Sequence, residues 1–372
     1  MLTRESLLGF CREVVSMSAC PRAVVAMSGG VDSSVAAYLL KQQGFDVVGL
    51  FMRTGVAAAA RTGHQGCCGV SDARDAEAVA ERLGIPFYVL DFARGFERLI
   101  RHFVSEYQRG RTPNPCVRCN QDLKLGELLD FATKLGAAFV ATGHYARIGE
   151  HQGRRALRRA ADLAKDQSYV LFALGQPQLE RIRFPLGELT KPQVRALARQ
   201  AGLAVADKQE SMEICFVPSG DYRDVVRERA PAALSPGKII AADGRELADH
   251  GGAALFTIGQ RRGLGFAAGE PRYVTRIDAA TNRVVVGARD ELRARRAEVS
   301  DVTWVSIEPP SQPVACAVKI RHQHEPVPAV ITRAPSGHVT IAFDQDVFAV
   351  APGQAAVFYQ GDMVLGGGFI DR

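Results

Sequence analysis

The chain has 372 residues, of which 47% are hydrophobic and 23% charged, and its formal net charge is +6. This length predicts two or three domains, and the composition excludes a disordered chain. No apolar run is long enough to span a bilayer. Residues 1–15 predict a short amphipathic helix and not a signal peptide, so we expect a cytoplasmic protein without membrane association. Eight cysteines in a chain of this length indicate thiol chemistry or metal binding and not a disulfide scaffold.

Strand-like and helix-like segments alternate in the first half of the chain. This alternation predicts an α/β fold with a parallel sheet wrapped by helices, in which ligands bind at the carboxyl ends of the strands. The predicted strands are 23–27, 46–52, 87–90 and 139–142, and the predicted helices are 33–43, 72–83, 96–109 and 123–135.

The pattern changes near residue 211, after which glycines, prolines and short strand-like runs dominate. The runs 315–320, 329–332, 339–343 and 355–359 have the spacing of a small antiparallel barrel or sandwich. We therefore expect an ATP-binding α/β domain over residues 1–212, a small mixed linking domain over 213–292 and a C-terminal antiparallel β-barrel over 293–372.

A glycine-rich loop follows the first predicted strand and opens a helix. Glycines allow the backbone to approach a phosphate closely, and the free amides of a helix start favour an anion. No Lys-Ser or Lys-Thr follows the glycines, so the Walker A pattern is absent. The loop instead resembles the S-G-G-x-D-S loop of the PP-loop ATP pyrophosphatases, which split ATP between the α and β phosphates. Its residues run Ala26-Met27-Ser28-Gly29-Gly30-Val31-Asp32-Ser33-Ser34.

Three further positions complete the predicted nucleotide site. Asp32 is expected to help hold Mg²⁺, which prefers carboxylate and phosphate oxygens. Met52, at the end of the second strand, is a candidate to pack on the adenine, although a plain core methionine explains it nearly as well. Gly143, after the strand 139–142, would allow close approach to the nucleotide.

A pair of cysteines forms the second strong motif. Cys116 and Cys119 flank Arg118 in T-P-N-P-C-V-R-C-N, and a nearby cation favours the thiolate. The candidate partner thiol is Cys215, although a lone cysteine between apolar residues is more typical of a buried position. No second C-x-x-C or H-x-x-H is present, so we expect no closed structural zinc site.

Taken together, these motifs resemble those of the bacterial tRNA-specific 2-thiouridylases along nearly the whole chain. The matching stretches are A-M-S-G-G-V-D-S-S, G-R-T-P-N-P-C-V-R-C-N, A-T-G-H-Y, K-D-Q-S-Y, E-I-C-F, T-I-G-Q-R-R-G-L-G and A-P-G-Q-A-A-V-F-Y. The resemblance implies that ATP adenylates the C2 oxygen of the wobble uridine in certain tRNAs and that a persulfide sulfur then displaces AMP. It also implies a cysteine desulfurase or a sulfur-relay protein as a partner, and we expect a monomer.

The resemblance assigns roles to individual residues. Cys215 would carry the persulfide, and Cys119 would either attack the adenylated base or release sulfide by forming a disulfide with Cys215. The residues expected to bind ATP are Ala26, Met27, Ser28, Gly29, Gly30, Val31, Asp32, Ser33, Met52 and Gly143. The residues expected to contact the tRNA or its target base are Asn114, Pro115, Cys116, His144, Lys165, Asp166, Gln167, Arg321, His322 and Gln354.

Cys116 departs from the family pattern, because many relatives carry an aspartate there that is sometimes assigned a base role. A thiolate at Cys116 could accept a proton in its place. Alternatively, Cys116, Cys119 and Cys215 would supply three ligands to an iron–sulfur cluster, an alternative that we do not favour.

Other interpretations remain open at this point. The chain could be a PP-loop ligase or amidotransferase acting on a small molecule, an iron–sulfur-dependent thiolase acting on another base, or a non-catalytic RNA-binding protein. Cys67 and Cys68 have no assigned role. The segment 151–159 contains four arginines and is either a phosphate-contacting turn or a solvated basic hairpin; the resemblance favours RNA contact.

Overall fold

The computed structural model describes residues 20–55, 69–210, 214–217, 219–266 and 269–371. Cys67, Cys68 and the predicted N-terminal helix lie outside these residues. Within the described residues, none of the helices combines the length and the hydrophobicity that a bilayer crossing requires.

A five-stranded parallel sheet forms the centre of the N-terminal part. Its strands are β1 (Arg22–Ala26), β2 (Asp46–Arg53), β3 (Phe87–Asp91), β4 (Phe139–Thr142) and β7 (Ile182–Arg183). Strands β5 (Ala146–His151) and β6 (Arg154–Arg159) lie between β4 and β7 in the chain and form a separate hairpin. All pairings in the sheet are parallel, in the order β3-β2-β1-β4-β7. The central residues of β1 and all of β4 are buried, as expected for strands covered on both faces. The predicted parallel α/β fold is therefore confirmed.

Helices cover both faces of this sheet. They are α1 (Val31–Gln42), α2 (Val70–Leu83), α3 (Ala93–Gln108), α4 (Pro115–Arg118), a π-helix (Cys119–Glu127), α5 (Leu128–Lys134), α6 (Gln176–Glu180) and α7 (Lys191–Gln200). One apolar cluster packs α1 and α7 against the sheet, and another joins α3, the π-helix and α5 to the opposite face. The predicted helix 123–135 is therefore the end of a longer helical segment that begins at Pro115.

The central part is small and mixed. It contains α8 (Tyr222–Arg229) and strands β8 (Gly237–Ala241), β9 (Glu246–His250), β10 (Tyr273–Asp278) and β11 (Arg283–Gly287). These strands form a sheet in the order β10-β11-β8-β9, with an apolar cluster of its own.

A closed antiparallel barrel ends the chain, as predicted. Its strands are β12 (Arg293–Thr303), β13 (Val314–Lys319), β14 (Val327–Arg333), β15 (Val339–Phe348), β16 (Ala355–Gln360) and β17 (Met363–Ile370). Pairing of β12 with β17 closes the barrel. The hairpin β5–β6 from the first half extends the same sheet, because Arg158 of β6 pairs with Met363 of β17. Barrel residues such as Tyr359 and Val364 also belong to the apolar cluster of the N-terminal part, so the two parts share one core.

Candidate active site

The glycine loop lies at the carboxyl end of β1, beside the end of β4. Register places Ala26 opposite Thr142, so the loop and the residues after β4 share one edge of the sheet. Gly30 caps α1. The Ser33 hydroxyl lies 3.1 Å from the Ser28 amide and donates to the Gly30 carbonyl at 3.2 Å. Serine hydroxyls therefore fix the loop in a conformation that leads directly into the helix start.

Two glycines at this edge are required by the packing of the protein itself. Gly29 has a φ of +71°, and a Cβ there would lie 2.2 Å from the Asp72 carbonyl oxygen. A Cβ at Gly143 would lie 2.6 Å from the Ser33 amide nitrogen. The loop is thus held between the start of α2 and the residues after β4, with backbone against backbone.

Asp32 is the centre of a chain of charged side chains. The Lys191 ammonium lies 2.8 Å from each Asp32 carboxylate oxygen, and the Tyr145 hydroxyl donates to one of them at 2.8 Å. Lys191 also pairs with Glu210 at 2.6 Å, and Glu210 pairs with Lys165 at 2.7 Å. Burial raises the pKa of Glu210, but hydrogen bonds from the two lysines outweigh it and hold that pKa below its usual value. Glu210 is therefore ionised at neutral pH.

A second lysine supports the loop from the other side. The Lys208 ammonium donates to the Gly29 carbonyl at 3.0 Å and to the buried Asp72 carboxylate at 2.7 Å. It also pairs with the more exposed Asp75. Lys208 thereby ties the loop to the first turn of α2.

The donor set fits magnesium-bound ATP. Mg²⁺ in nucleotide sites needs only one or two carboxylates, because phosphate oxygens and water supply the other ligands. Asp32, beside the helix start, meets that need. Met52, for its part, exposes 9% of its surface and belongs to the apolar cluster of the sheet face; its contact with adenine stays a prediction.

The thiols lie on two separate segments. Cys119 is buried at the start of the π-helix, whereas Cys116, one turn earlier, is exposed. Cys215 is half-buried in a turn and packs against the apolar cluster that contains Cys119. Both predicted reactive thiols therefore contact the same large apolar cluster, and their approach to each other stays a prediction.

Arg118 lies between the two cysteines in the sequence, and its side chain contacts the C-terminal barrel. Its guanidinium lies over the Phe369 ring at 4.9 Å and 3.8 Å from the Asp301 carboxylate, both on the C-terminal barrel. The side chain is thus directed at the barrel, and its effect on the thiolates of the neighbouring cysteines stays a prediction.

Metal binding requires several suitable side chains to lie close together. In the part of the chain that the structure describes, no group of three His, Cys, Asp or Glu side chains is placed to hold a metal ion. In this conformation, Cys116, Cys119 and Cys215 are therefore not arranged as three ligands of one metal site.

The helix that carries Cys119 is a nine-residue π-helix, a rare form that is frequent at functional sites. Its irregular backbone has dedicated hydrogen-bond partners. The Gln178 side chain donates to the carbonyls of Gln121 and Leu125 at 3.2 and 2.8 Å, and the Asn120 side chain donates to the Val170 carbonyl at 3.2 Å. Cys119 is thus held at the start of a rigid segment.

His144 lies between this helix and the sheet edge that carries the glycine loop and the residues after β4, which we call the nucleotide edge. It follows β4, and its Nδ1 lies 2.7 Å from the Thr142 hydroxyl. Burial, and then the positive charge of Lys124 on the π-helix, lower the pKa of His144 to about 3. The imidazole is therefore neutral at physiological pH and lies near the helix that begins with Cys119.

The turn predicted to contact tRNA is built around a buried carboxylate. Asp166 accepts hydrogen bonds from the Ala160 amide and from the amide and hydroxyl of Ser168. The Gln167 side chain accepts from the Tyr145 amide at 2.9 Å. Both side chains shape the turn, and their direct contact with RNA stays a prediction.

The predicted contact residues of the barrel lie around the segment before the thiols. Gln354 donates to the Thr112 carbonyl at 2.9 Å. His322 packs edge-on against Tyr169, whose hydroxyl donates to the Ala355 carbonyl at 2.9 Å. The barrel therefore contacts the segment that leads into α4.

Arg321 lies in a different surface feature. It donates to the Ala349 carbonyl at 2.8 Å and lines a cavity of about 540 Å³ together with three other arginines. The other three are Arg223, Arg261 and Arg262.

Comparison with known proteins decides the family. Residues 21–219 match the tRNA methyl transferase HUP domain, residues 223–288 the tRNA methyl transferase PRC-barrel domain and residues 294–370 the Aminomethyltransferase beta-barrel domain. The tRNA-specific 2-thiouridylase MnmA of Chloroflexus aurantiacus is 48% identical, over 94% of this chain and 98% of its own. The Geobacter metallireducens protein of the same name is 49% identical, over 94% and 96%. The chain belongs to the tRNA-specific 2-thiouridylase family.

The family prediction made from the motifs is thereby confirmed. Among solved structures, the U34-tRNA thiolase NcsA from Methanococcus maripaludis is similar with a TM-score of 0.37 and 18% identity, covering 61% of this chain and 72% of that one.

The basic segment 151–159 forms the turn and the second strand of a hairpin, which is one of the two forms expected for it, and its contact with RNA stays a prediction. The hairpin is β5–β6, and its arginines have partners within the protein. Arg158 pairs with Asp362 at 2.7 Å, Arg155 with Glu150 at 3.1 Å and Arg154 with Glu308, while Arg159 lies over the Tyr359 ring. The hairpin therefore offers less unbalanced positive charge to RNA than the sequence suggested.

Sequence reasoning missed the lysines of the nucleotide edge. Lys191 precedes a proline at a helix start, and Lys208 lies in the same stretch as Cys215, but neither position indicates the carboxylates that it meets in the fold. Tyr145 was visible only as part of A-T-G-H-Y.

Proposed function

We propose that this protein is an ATP-dependent tRNA-uridine 2-sulfurtransferase that thiolates C2 of the wobble uridine. The observation that carries the proposal is a convergence. The loop after β1 and His144 after β4 lie at one edge of the sheet, Lys124 of the helix that begins with Cys119 is near enough to lower the pKa of His144, and Cys215 packs against the large apolar cluster that contains Cys119. Such an arrangement suits a base that is first activated by a nucleotide and then attacked by sulfur.

The first half of the reaction consumes ATP. The C2 oxygen of the uridine attacks the α-phosphorus, pyrophosphate leaves, and the oxygen becomes adenylated. The amides of the loop and of the α1 start favour the phosphates, and Asp32 would hold Mg²⁺, which neutralises phosphate charge when bound. This half makes C2 electrophilic and turns its oxygen into a leaving group.

The second half transfers sulfur from a persulfide on Cys215. In one route the terminal sulfur attacks C2, AMP leaves with the former base oxygen, and the Cys119 thiolate then attacks the Cys215 sulfur, which leaves the thiocarbonyl on the base. In the other route Cys119 attacks first and releases sulfide, which displaces AMP. Both routes end with a Cys119–Cys215 disulfide, so a dithiol reductant must restore the thiols.

The neighbouring residues have supporting roles in this proposal. Neutral His144 can donate or accept a hydrogen bond without adding charge to the edge. Cys116, which is exposed beside the predicted base site, stands where relatives carry aspartate and would accept a proton as thiolate. The predicted RNA contacts of the turn and the barrel would orient the tRNA.

The partners follow from the same chemistry. A cysteine desulfurase or a sulfur-relay protein would load Cys215, whose partial exposure allows such a transfer. We propose that the protein acts as a monomer in the cytoplasm, where its tRNA and ATP are found.

Nucleoside mass spectrometry tests the proposal directly. Unmodified tRNA is incubated with ATP, Mg²⁺, a cysteine desulfurase system and the wild type, Cys215→Ala, Cys119→Ala or Asp32→Ala. Cys316→Ala is the matched control, because this thiol lies on the barrel, where burial raises its pKa to about 12. We expect 2-thiouridine with the wild type and the control only.

Three outcomes would contradict the proposal. ATP cleavage that depends on a small molecule and yields no thiolated base would favour the ligase or amidotransferase. Full thiolation by Cys215→Ala would remove that residue from sulfur transfer. A thiolated base other than uridine, together with iron–sulfur absorbance in an anaerobic preparation, would favour the cluster-dependent thiolase.

A further inference from the structure

Lys191 is a buried cation in the nucleotide edge that the chemistry above does not use. Its side chain exposes 9% of its surface and lies between two carboxylates, those of Asp32 and Glu210. It is the first residue of α7, and its amide donates to the Asp162 side chain at 3.0 Å. Lys191 contacts both carboxylate oxygens of Asp32 and one carboxylate oxygen of Glu210.

A lysine at this place is costly for the fold. The start of a helix carries partial positive charge, which disfavours a cation there. Buried ion pairs are also weak contributors to stability, because desolvation offsets the attraction, and apolar side chains of similar volume often serve as well. The structural role alone thus gives little reason for a charged residue at position 191.

Binding of the nucleotide changes what Lys191 can contact. The ammonium is 2.8 Å from both Asp32 oxygens. A magnesium ion held by Asp32 would compete with the ammonium for this carboxylate, because two cations so close together repel each other. The lysine would then lose its contact with Asp32 while the phosphates brought new negative charge to the same edge.

We propose that Lys191 is a further phosphate-binding residue, which Asp32 and Glu210 hold in place until ATP binds. On binding, the ammonium leaves Asp32, keeps Glu210 as its anchor and donates to the phosphate chain of the nucleotide. Glu210 is accordingly a positioning residue that acts through Lys191. This inference rests on the proposed ATP chemistry and adds a residue to it.

The test measures nucleotide affinity, not turnover. Calorimetry with Mg²⁺ and α,β-methylene ATP, which cannot be split between the α and β phosphates, is run with and without a tRNA transcript. Adenosine serves as the ligand without phosphates. The variants are Lys191→Met, which keeps the aliphatic stem, and Lys191→Arg, which keeps the charge. Arg199→Met is the matched control, because it removes an exposed cation from the same helix.

We expect Lys191→Met to bind the analogue about ten- to hundred-fold more weakly, the range for a lost hydrogen bond to a charged group. Adenosine affinity should be unchanged, Lys191→Arg should recover part of the loss, and Arg199→Met should match the wild type. The double variant Lys191→Met with Glu210→Gln keeps the site electrically balanced, so it should fold and show the same selective loss.

Two results would overturn the inference. If Lys191→Met or the double variant binds the analogue as tightly as the wild type does, Lys191 does not contact the phosphates. An equal loss for adenosine and for the analogue assigns Lys191 a structural role only. A wild type without affinity for the analogue, with or without tRNA, would instead refute the proposed ATP chemistry on which the inference rests.

Discussion

Replacement of Gly29 by alanine tests whether the protein's own packing fixes the nucleotide loop. The φ of +71° costs an L-residue about 1–2 kcal/mol. The new Cβ would lie 2.2 Å from the Asp72 carbonyl oxygen, so the loop and α2 must move apart. Such overpacking costs about 1–3 kcal/mol. We therefore expect Gly29→Ala to lower the free energy of unfolding by about 2–5 kcal/mol and to weaken ATP binding.

Gly44→Ala separates the two contributions. Gly44 has a φ of +86° in the same part of the chain, and nothing lies within 4 Å of a Cβ built there. This variant should lose only the conformational part, about 1–2 kcal/mol, and keep its affinity for ATP. Urea unfolding with linear extrapolation gives the free energy of unfolding of each variant. If Gly29→Ala is as stable as Gly44→Ala and binds ATP like the wild type, the packing argument is wrong.

Two further predictions concern His144 and Arg118. The pKa of His144 is about 3 in the folded protein, whereas an unfolded histidine titrates near 6.5, so the unfolded state binds the proton first and stability falls as the pH drops from about 6.5 towards 3. His144→Gln should reduce this fall in urea unfolding at pH 7 and 4.5, and an unaltered pH dependence would contradict the burial argument. Because Arg118 is directed at the barrel, Arg118→Met should leave iodoacetamide alkylation of Cys119 within about twofold of wild type by site-resolved mass spectrometry. A tenfold slower reaction would show that Arg118 promotes the Cys119 thiolate.

The sequence allowed prediction of features that depend on local chemistry. The strand at Phe139–Thr142 has the predicted bounds, because a short apolar run before a glycine has few alternatives inside a parallel sheet. The loop after β1 could also be predicted, because its glycines and serines are required at their positions in the sequence. The barrel was visible as short strands at regular spacing.

Features that depend on partners distant in sequence could not be predicted. Lys191 looks like an ordinary surface lysine until the fold places Asp32 and Glu210 beside it. Arg118 is one residue from Cys119, yet its side chain points to Phe369. The π-helix likewise depends on Gln178, which comes from a different segment. In each case tertiary contact, and not local propensity, decides the outcome.

The hairpin β5–β6 has a consequence for synthesis on the ribosome. Strand β6 pairs with β17, which is among the last segments to be translated. The edge of β6 is therefore unpaired while more than half of the chain is made. Open edges invite pairing with other nascent chains, and charged side chains on the edge discourage it. The four arginines of β6 supply that protection until Asp362, at the β17 end, arrives to pair with Arg158. Their value would then lie in the interval of about 10–40 s before the barrel can close, when the unfinished chain is most exposed to aggregation.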